Sequence, residues 1–231
     1  MSGKFFLKLG VIFFLFIVSF SVCFAHQPRL VEKETTVIEN PEISQAFYAE
    51  LTGSPQNYAI QSDIPFKLYV GLLVPDLPDS DTDYIAKVTS DTGLNVVLDG
   101  NSFEWESFYE EFGGDDYLNG PEYMDDSFED DYPHGVLVDP GLYTIEVSSS
   151  DNRGKYVLVV GEIESFSFSE IVNTIKILPK LKSDFFEKSA FTAFFNLIGL
   201  FLLIPVILII LLVIFLIILY RRYKNKKVKK K

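Results

Sequence analysis

The chain has 231 residues, 15% of them aromatic, and carries 32 acidic against 20 basic side chains, a formal charge of −12. All the acids fall within residues 26–190, where ten basic residues oppose them and leave −22; a body this negative repels nucleic acid and anionic lipid headgroups. The one cysteine, Cys23, excludes an internal disulfide, and everything after it lacks a thiol nucleophile or a Cys-ligated zinc.

In chain order, Lys4 and Lys8 precede the apolar stretch LGVIFFLFIVSFSVCFA, and the small residues Cys23 and Ala25 follow before His26. This is the pattern of a secretory signal peptide over 1–25, with an uncleaved first span as the alternative. Either way residues 26–190 are placed outside the membrane. Residues 26–42 form a polar lead-in. From there to 165 the apolar period is two. Phe66, Leu68, Val70, Leu72 and Val74 share one face, as do Tyr143, Ile145 and Val147. In GKYVLVVG both faces are apolar, which suits a central strand. Further strands are expected near 45–51, 57–61, 84–89, 94–98 and 135–138, separated by turns at Asp91-Thr92-Gly93, Asp139-Pro140-Gly141 and Asp151-Asn152-Arg153-Gly154. The fold class expected is mainly β, an antiparallel, jelly-roll-like β-sandwich over 43–165.

Residues 99–134 read as a long acidic and aromatic insertion. Calcium takes six to eight oxygens, and Asp115, Asp116, Asp125, Asp126, Glu129, Asp130 and Asp131 supply them in clusters whose mutual repulsion a cation would relieve. Asp79, Asp81 and Asp83 begin like an EF-hand loop, but Tyr84 stands where glycine is needed and Ser90 where glutamate is needed, so the expectation is a calcium loop of another kind. Trp105, Tyr109, Tyr117 and Tyr123 would stack a ligand such as a sugar, or pin the insertion to the sandwich with the acids facing water. Catalysis has less to work with. The histidines are His26 and His134; there is no HExxH, no Gly-x-Ser-x-Gly and no phosphate-cradling glycine loop. No enzyme is expected, with carboxylate-driven glycoside hydrolysis as the alternative.

After residue 165 the period changes. Ser167 and Glu170 have capping-box spacing, and Ile171, Val172, Ile175 and Leu178 follow at helical intervals up to Pro179. A second segment carries Leu181, Phe185 and Phe186 among lysines. Residues 166–190 are therefore an amphipathic stem, resting on the outer membrane surface or on the base of the sandwich. Residues 197–219 contain no charge over 23 positions, long enough to span a bilayer at about 1.5 Å per residue. The transmembrane helix is expected over 195–220, with Pro205 kinking it. The tail 221–231 holds eight Lys or Arg residues and belongs in the cytoplasm.

DPGLYTIEVSSSDNRGKYVLVVG (139–161) resembles the closing hairpin of bacterial pre-peptidase C-terminal domains, with the match on Gly141, Tyr143, Gly154, Tyr156, Leu158 and Val160. SDTDYIAKV (80–88) and TGLNVVLDG are similar to earlier strands of that family. The resemblance implies an extracellular β-sandwich that is an accessory module and not a catalytic one. The layout of signal, sandwich, stem, span and basic tail also resembles the p24 cargo receptors of the secretory pathway, although this chain lacks their disulfide and longer coiled coil. The expectation is a single-pass, type I membrane protein with one acidic outer domain that binds a protein partner, with calcium as its candidate cofactor and the lipid bilayer as its support.

Overall fold

The computed structural model describes residues 26–111, 113–125, 134–165 and 167–196, then Gly199, Leu203, Ile207, 210–218, Tyr220 and Arg221. The signal segment 1–25, the acids Asp126, Glu129, Asp130 and Asp131, and most of the basic tail lie outside the described residues.

The domain is a β-sandwich. Its strands are β1 (Gln27–Leu30), β2 (Thr35–Val37), β3 (Gln45–Thr52), β4 (Gln56–Ser62), β5 (Phe66–Leu68), β6 (Val70–Pro75), β7 (Ile85–Ser90), β8 (Asn95–Asp99), β9 (Glu106–Glu110), β10 (Asp115–Tyr123), β11 (Val136–Val138), β12 (Gly141–Ser148) and β13 (Arg153–Val160). One sheet runs β1-β3-β13-β6-β10-β9, the other β2-β4-β12-β7-β8, and β5 and β11 form a short ladder between them. Pairing is antiparallel except at two edges, where β1 joins β3 and β2 joins β4 in parallel.

Period-two patterning builds the core. Phe47, Leu72, Val74, Tyr156, Leu158 and Val160 of the first sheet meet Tyr58, Ile60, Val88, Tyr143, Ile145 and Val147 of the second. Tyr58 and Tyr156 lie fully inside, and their hydroxyls satisfy each other at 2.9 Å. As its two apolar faces predict, β13 is central, between β3 and β6.

Two parts differ from expectation. The lead-in 26–42 supplies strands β1 and β2. The insertion 99–134 supplies the hairpin β9–β10, whose second strand pairs with β6 as part of the main sheet. Neither shows clean alternation, because edge pairing with an existing strand, and not a local pattern, holds them.

The helix α1 (Phe168–Lys180) starts where expected, with the Ser167 hydroxyl accepting from Glu170 N–H. Glu170 turns instead to Arg29, at 2.7 Å, so only half of a capping box forms. Pro179 sits within the last turn, and the chain continues through a π-helical turn (Leu181–Phe185) to a 3-10 turn (Ala190–Phe194). This strap lies on the outer face of the first sheet. Ile177, Leu181, Phe185 and Phe186 cover Ala46, Tyr48, Leu73, Tyr117, Val157 and Val159. The stem expected over 166–190 thus packs on the outer face of the first sheet. Among the described residues no helix is long and apolar enough to cross a membrane; the run 197–219 lies partly outside them.

Candidate functional site

The acidic hairpin and the strap meet at one buried charge cluster. The β9–β10 turn closes with Gly114 N–H donating to Glu110 O, while Gly113 N–H donates to the Glu110 carboxylate. Gly114 has φ +72°, which suits glycine. Immediately after it, Asp115 is 4% exposed and Lys182, from the strap, 1% exposed. Lys182 Nζ is 2.6 Å from Asp115 Oδ2 and donates to Gly113 O at 2.6 Å, with the Phe186 ring 5.8 Å below. Lys188 takes the other oxygen, at 3.3 Å from Asp115 Oδ1, and reaches Asp116 Oδ2 and Gly114 O at 3.2 Å each. Burial alone would lower the Lys188 pKa; the carboxylates of Asp115 and Asp116 outweigh it and hold the ammonium above its ordinary value.

Around this cluster the strap is apolar. Tyr48 and Tyr117 share a hydrogen bond of 2.9 Å beneath Phe185 and Phe186, and burial pushes both phenols well up. Lys155–Glu187 and Lys180–Glu32 add outer pairs that water screens. The last contact belongs to Asn196. Its Nδ2 donates to Gly113 O at 2.6 Å and its Oδ1 accepts from Gly199 N–H at 2.9 Å, so one side chain joins the hairpin to the first turn of the apolar run.

Asp115 and Asp116 thus neighbour lysines. Asp83 accepts from Ser150 N–H at 3.0 Å, and Asp79 and Asp81 line a cleft with Glu50, Lys155 and Glu187. Tyr84 has its pKa raised by burial first, and then by the negative charge of Asp81, Asp83, Asp151 and Glu50. Asp125 lies at the end of β10, its N–H bonded to His134 O. Among the described residues no group of three or more acids or histidines is arranged to hold a metal ion.

The aromatics divide. Tyr117 is buried under the strap, Tyr123 packs against the main core, and Tyr109 is 57% exposed on the edge strand β9. Trp105 donates from Nε1 to Gly100 O and lies against two glycines: a Cβ at Gly100 would stand 2.8 Å from its ring, and one at Gly120 2.5 Å from it and 2.8 Å from Leu72 O. Gly120→Ala therefore displaces the indole. It is expected to lower stability by ~1–3 kcal/mol and to shift the emission of the lone tryptophan to the red, read in a denaturant titration of the full chain. An unshifted spectrum at wild-type stability would mean that the ring is not wedged there.

His134 Nδ1 is 3.5 Å from Glu162 Oε1. His26 Nδ1 meets Ser44 Oγ at 2.5 Å, but Ser44 is 1% exposed and offers no access to a substrate. Lys182, Lys188 and Asn196 were not legible as site residues. The signal that pointed toward them was the second apolar face of β13, which needed a cover.

No family model matches the chain, and no curated protein matches it. Among solved structures, the pre-peptidase C-terminal domain of collagenase from Bacillus anthracis is similar, with a TM-score of 0.30 and 10% identity, over 56% of this chain and 96% of that one. That is a loose β-sandwich resemblance.

Proposed function

We propose that the chain is a single-pass membrane protein that holds a non-catalytic binding domain outside the cell, its basic tail in the cytoplasm, and that the domain engages a protein partner. The observation that carries the reading is the apolar run. Leu211, Leu212, Val213, Ile214, Leu216, Ile217 and Ile218 are helical and 46–56% exposed, and Phe215 among them is half-buried. A helix apolar on every side needs a surround of lipid or protein. The signal segment supports the same orientation, since its expected cleavage point falls one residue before β1. Trypsin added to sealed cells should remove the sandwich and spare the tail; the reverse pattern overturns the topology. Crosslinking of the intact protein in its membrane should then trap a protein partner, whereas turnover in a glycan or hydrolase screen would favour an enzyme. Calcium is the cation that the acids outside the lysine cluster would take. It would enter the cleft that Asp79, Asp81 and Glu50 line, and its arrival would have to draw the carboxylates together, since no three of the described acids are arranged to hold a metal ion. Melting with calcium should exceed melting with chelator, and coincident curves remove calcium from the proposal.

A further inference from the structure

Just before the apolar run the chain exposes three phenylalanines. Phe191 is 74% exposed, Phe194 45% and Phe195 76%, and the rings of Phe191 and Phe195 stack at 5.5 Å. They are not loose. Ser189 caps the 3-10 turn by accepting from Phe191 N–H, and Ala193 of the same turn is fully buried. Asn196 then ties the chain to the hairpin through Gly113 O and to Gly199 N–H ahead. Gly199 lies so close against the Phe194 backbone that no Cβ fits there. The rings are thus held at a fixed level, two to six residues before Leu197, where the uninterrupted apolar run begins. Tyr109, more than half exposed, has its hydroxyl beside Gly114, next to Asn196, and marks the same level on the hairpin. Contiguous exposed aromatics on a water-facing surface are unfavourable and mark a contact.

We propose that this aromatic foot rests in the headgroup layer of the outer leaflet, so that the sandwich sits directly on the bilayer and is not carried on a free stalk. The occupant follows from chain continuity. A helix starting at 197 and entering lipid leaves residues 191–195 at the water–hydrocarbon boundary, where aromatic side chains are stable. Charge permits it. The domain as a whole repels anionic headgroups, but the hairpin acids next to Asn196, Asp115 and Asp116, are held by Lys182 and Lys188. The lysine cluster thus quiets the negative charge at the end of the domain that must approach the membrane.

This inference rests on the proposed span, and the test separates the two. The full chain in a Cys23→Ala background, carrying a nitroxide at Phe191→Cys or Phe195→Cys, is reconstituted into phosphatidylcholine vesicles. Val37→Cys, 68% exposed on edge strand β2 of the other sheet, is the water-facing control. All three positions are exposed, so labelling leaves the core intact. The labels at 191 and 195 should lose most of their collisions with a water-soluble nickel chelate relative to Val37 and gain collisions with oxygen, which concentrates in lipid. If they match Val37 while the protein resists alkaline carbonate extraction, the span stands and the seated domain is wrong. If carbonate releases the chain, the span itself fails, and this inference with it.

Discussion

Asp115→Ala should be among the most damaging single substitutions in the domain, costing about 3–5 kcal/mol, because it leaves the Lys182 ammonium buried with no counter-charge. Gly113 O and the Phe186 ring remain, but neither neutralises a charge that is 1% exposed. The strap also carries Phe185 and Phe186, so its release would uncover Tyr48, Tyr117, Val157 and Val159. The reciprocal change is milder. Lys182→Met keeps Asp115 paired with Lys188 and puts an apolar chain among apolar neighbours. The double variant Asp115→Leu, Lys182→Met should recover most of the loss, since an apolar replacement of a buried ion pair is often neutral or better. Denaturant titration of the full chain in detergent micelles measures all three. If Asp115→Ala cost no more than a surface ion pair, under about 1 kcal/mol, the cluster would not hold the strap. Alkali offers an independent view. The Lys188 pKa is raised in the fold, so its contribution is complete below the unfolded value of about 10.4 and is lost as pH climbs through the folded one. Strap release should therefore appear in strong alkali and not near neutrality.

The same cluster explains what could be read beforehand. Strands β3, β4, β7, β8 and β11 to β13 announce themselves by alternation and turn residues, and Ser167 announces the start of α1; β5 and β6 read as one alternating run, which the structure divides at Tyr69 between two ladders. Asp115 does the opposite. In β10 the residues facing the strap are Asp115 and Tyr117, and a buried aspartate makes sense only once a lysine 67 positions later is folded over it. Trp105 looked like a stacking platform because its partners are Gly100 and Gly120, which have no side chains to advertise the contact. Strands β1 and β2 are four and three residues long and pair in parallel at edges, where the existing strand sets the pattern and the added one carries little of its own. Local signals thus predicted the sandwich, whereas the candidate site depends on long-range pairing of charges.

Where the chain leaves the sandwich for the strap, Gly161→Ala should cost about 2–5 kcal/mol, from left-handed strain together with overpacking. Gly161 has φ +73°, and a Cβ there would meet Ile43 O at 2.5 Å, Pro41 O at 2.6 Å and the Glu42 carbonyl carbon at 2.7 Å. All three are backbone atoms, so no side chain can swing aside. The segment they belong to is fastened to this exit, with Glu162 and Ile163 N–H donating to Glu42 O and Ser44 N–H donating to Ile163 O. Pushing it away would loosen β3 at its start and misdirect α1, and with it the lysines that must find Asp115. Gly114 is a matched control. Its φ is +72°, but a Cβ there meets only Tyr109 Oη at 3.4 Å and Asn196 Cβ at 3.5 Å, ordinary contacts. Gly114→Ala should therefore carry the strain alone, about 1–2 kcal/mol. Denaturation midpoints of the two variants measure the difference. Equal losses would show that the backbone at 41–43 yields freely and that this exit does not fix the path of the strap.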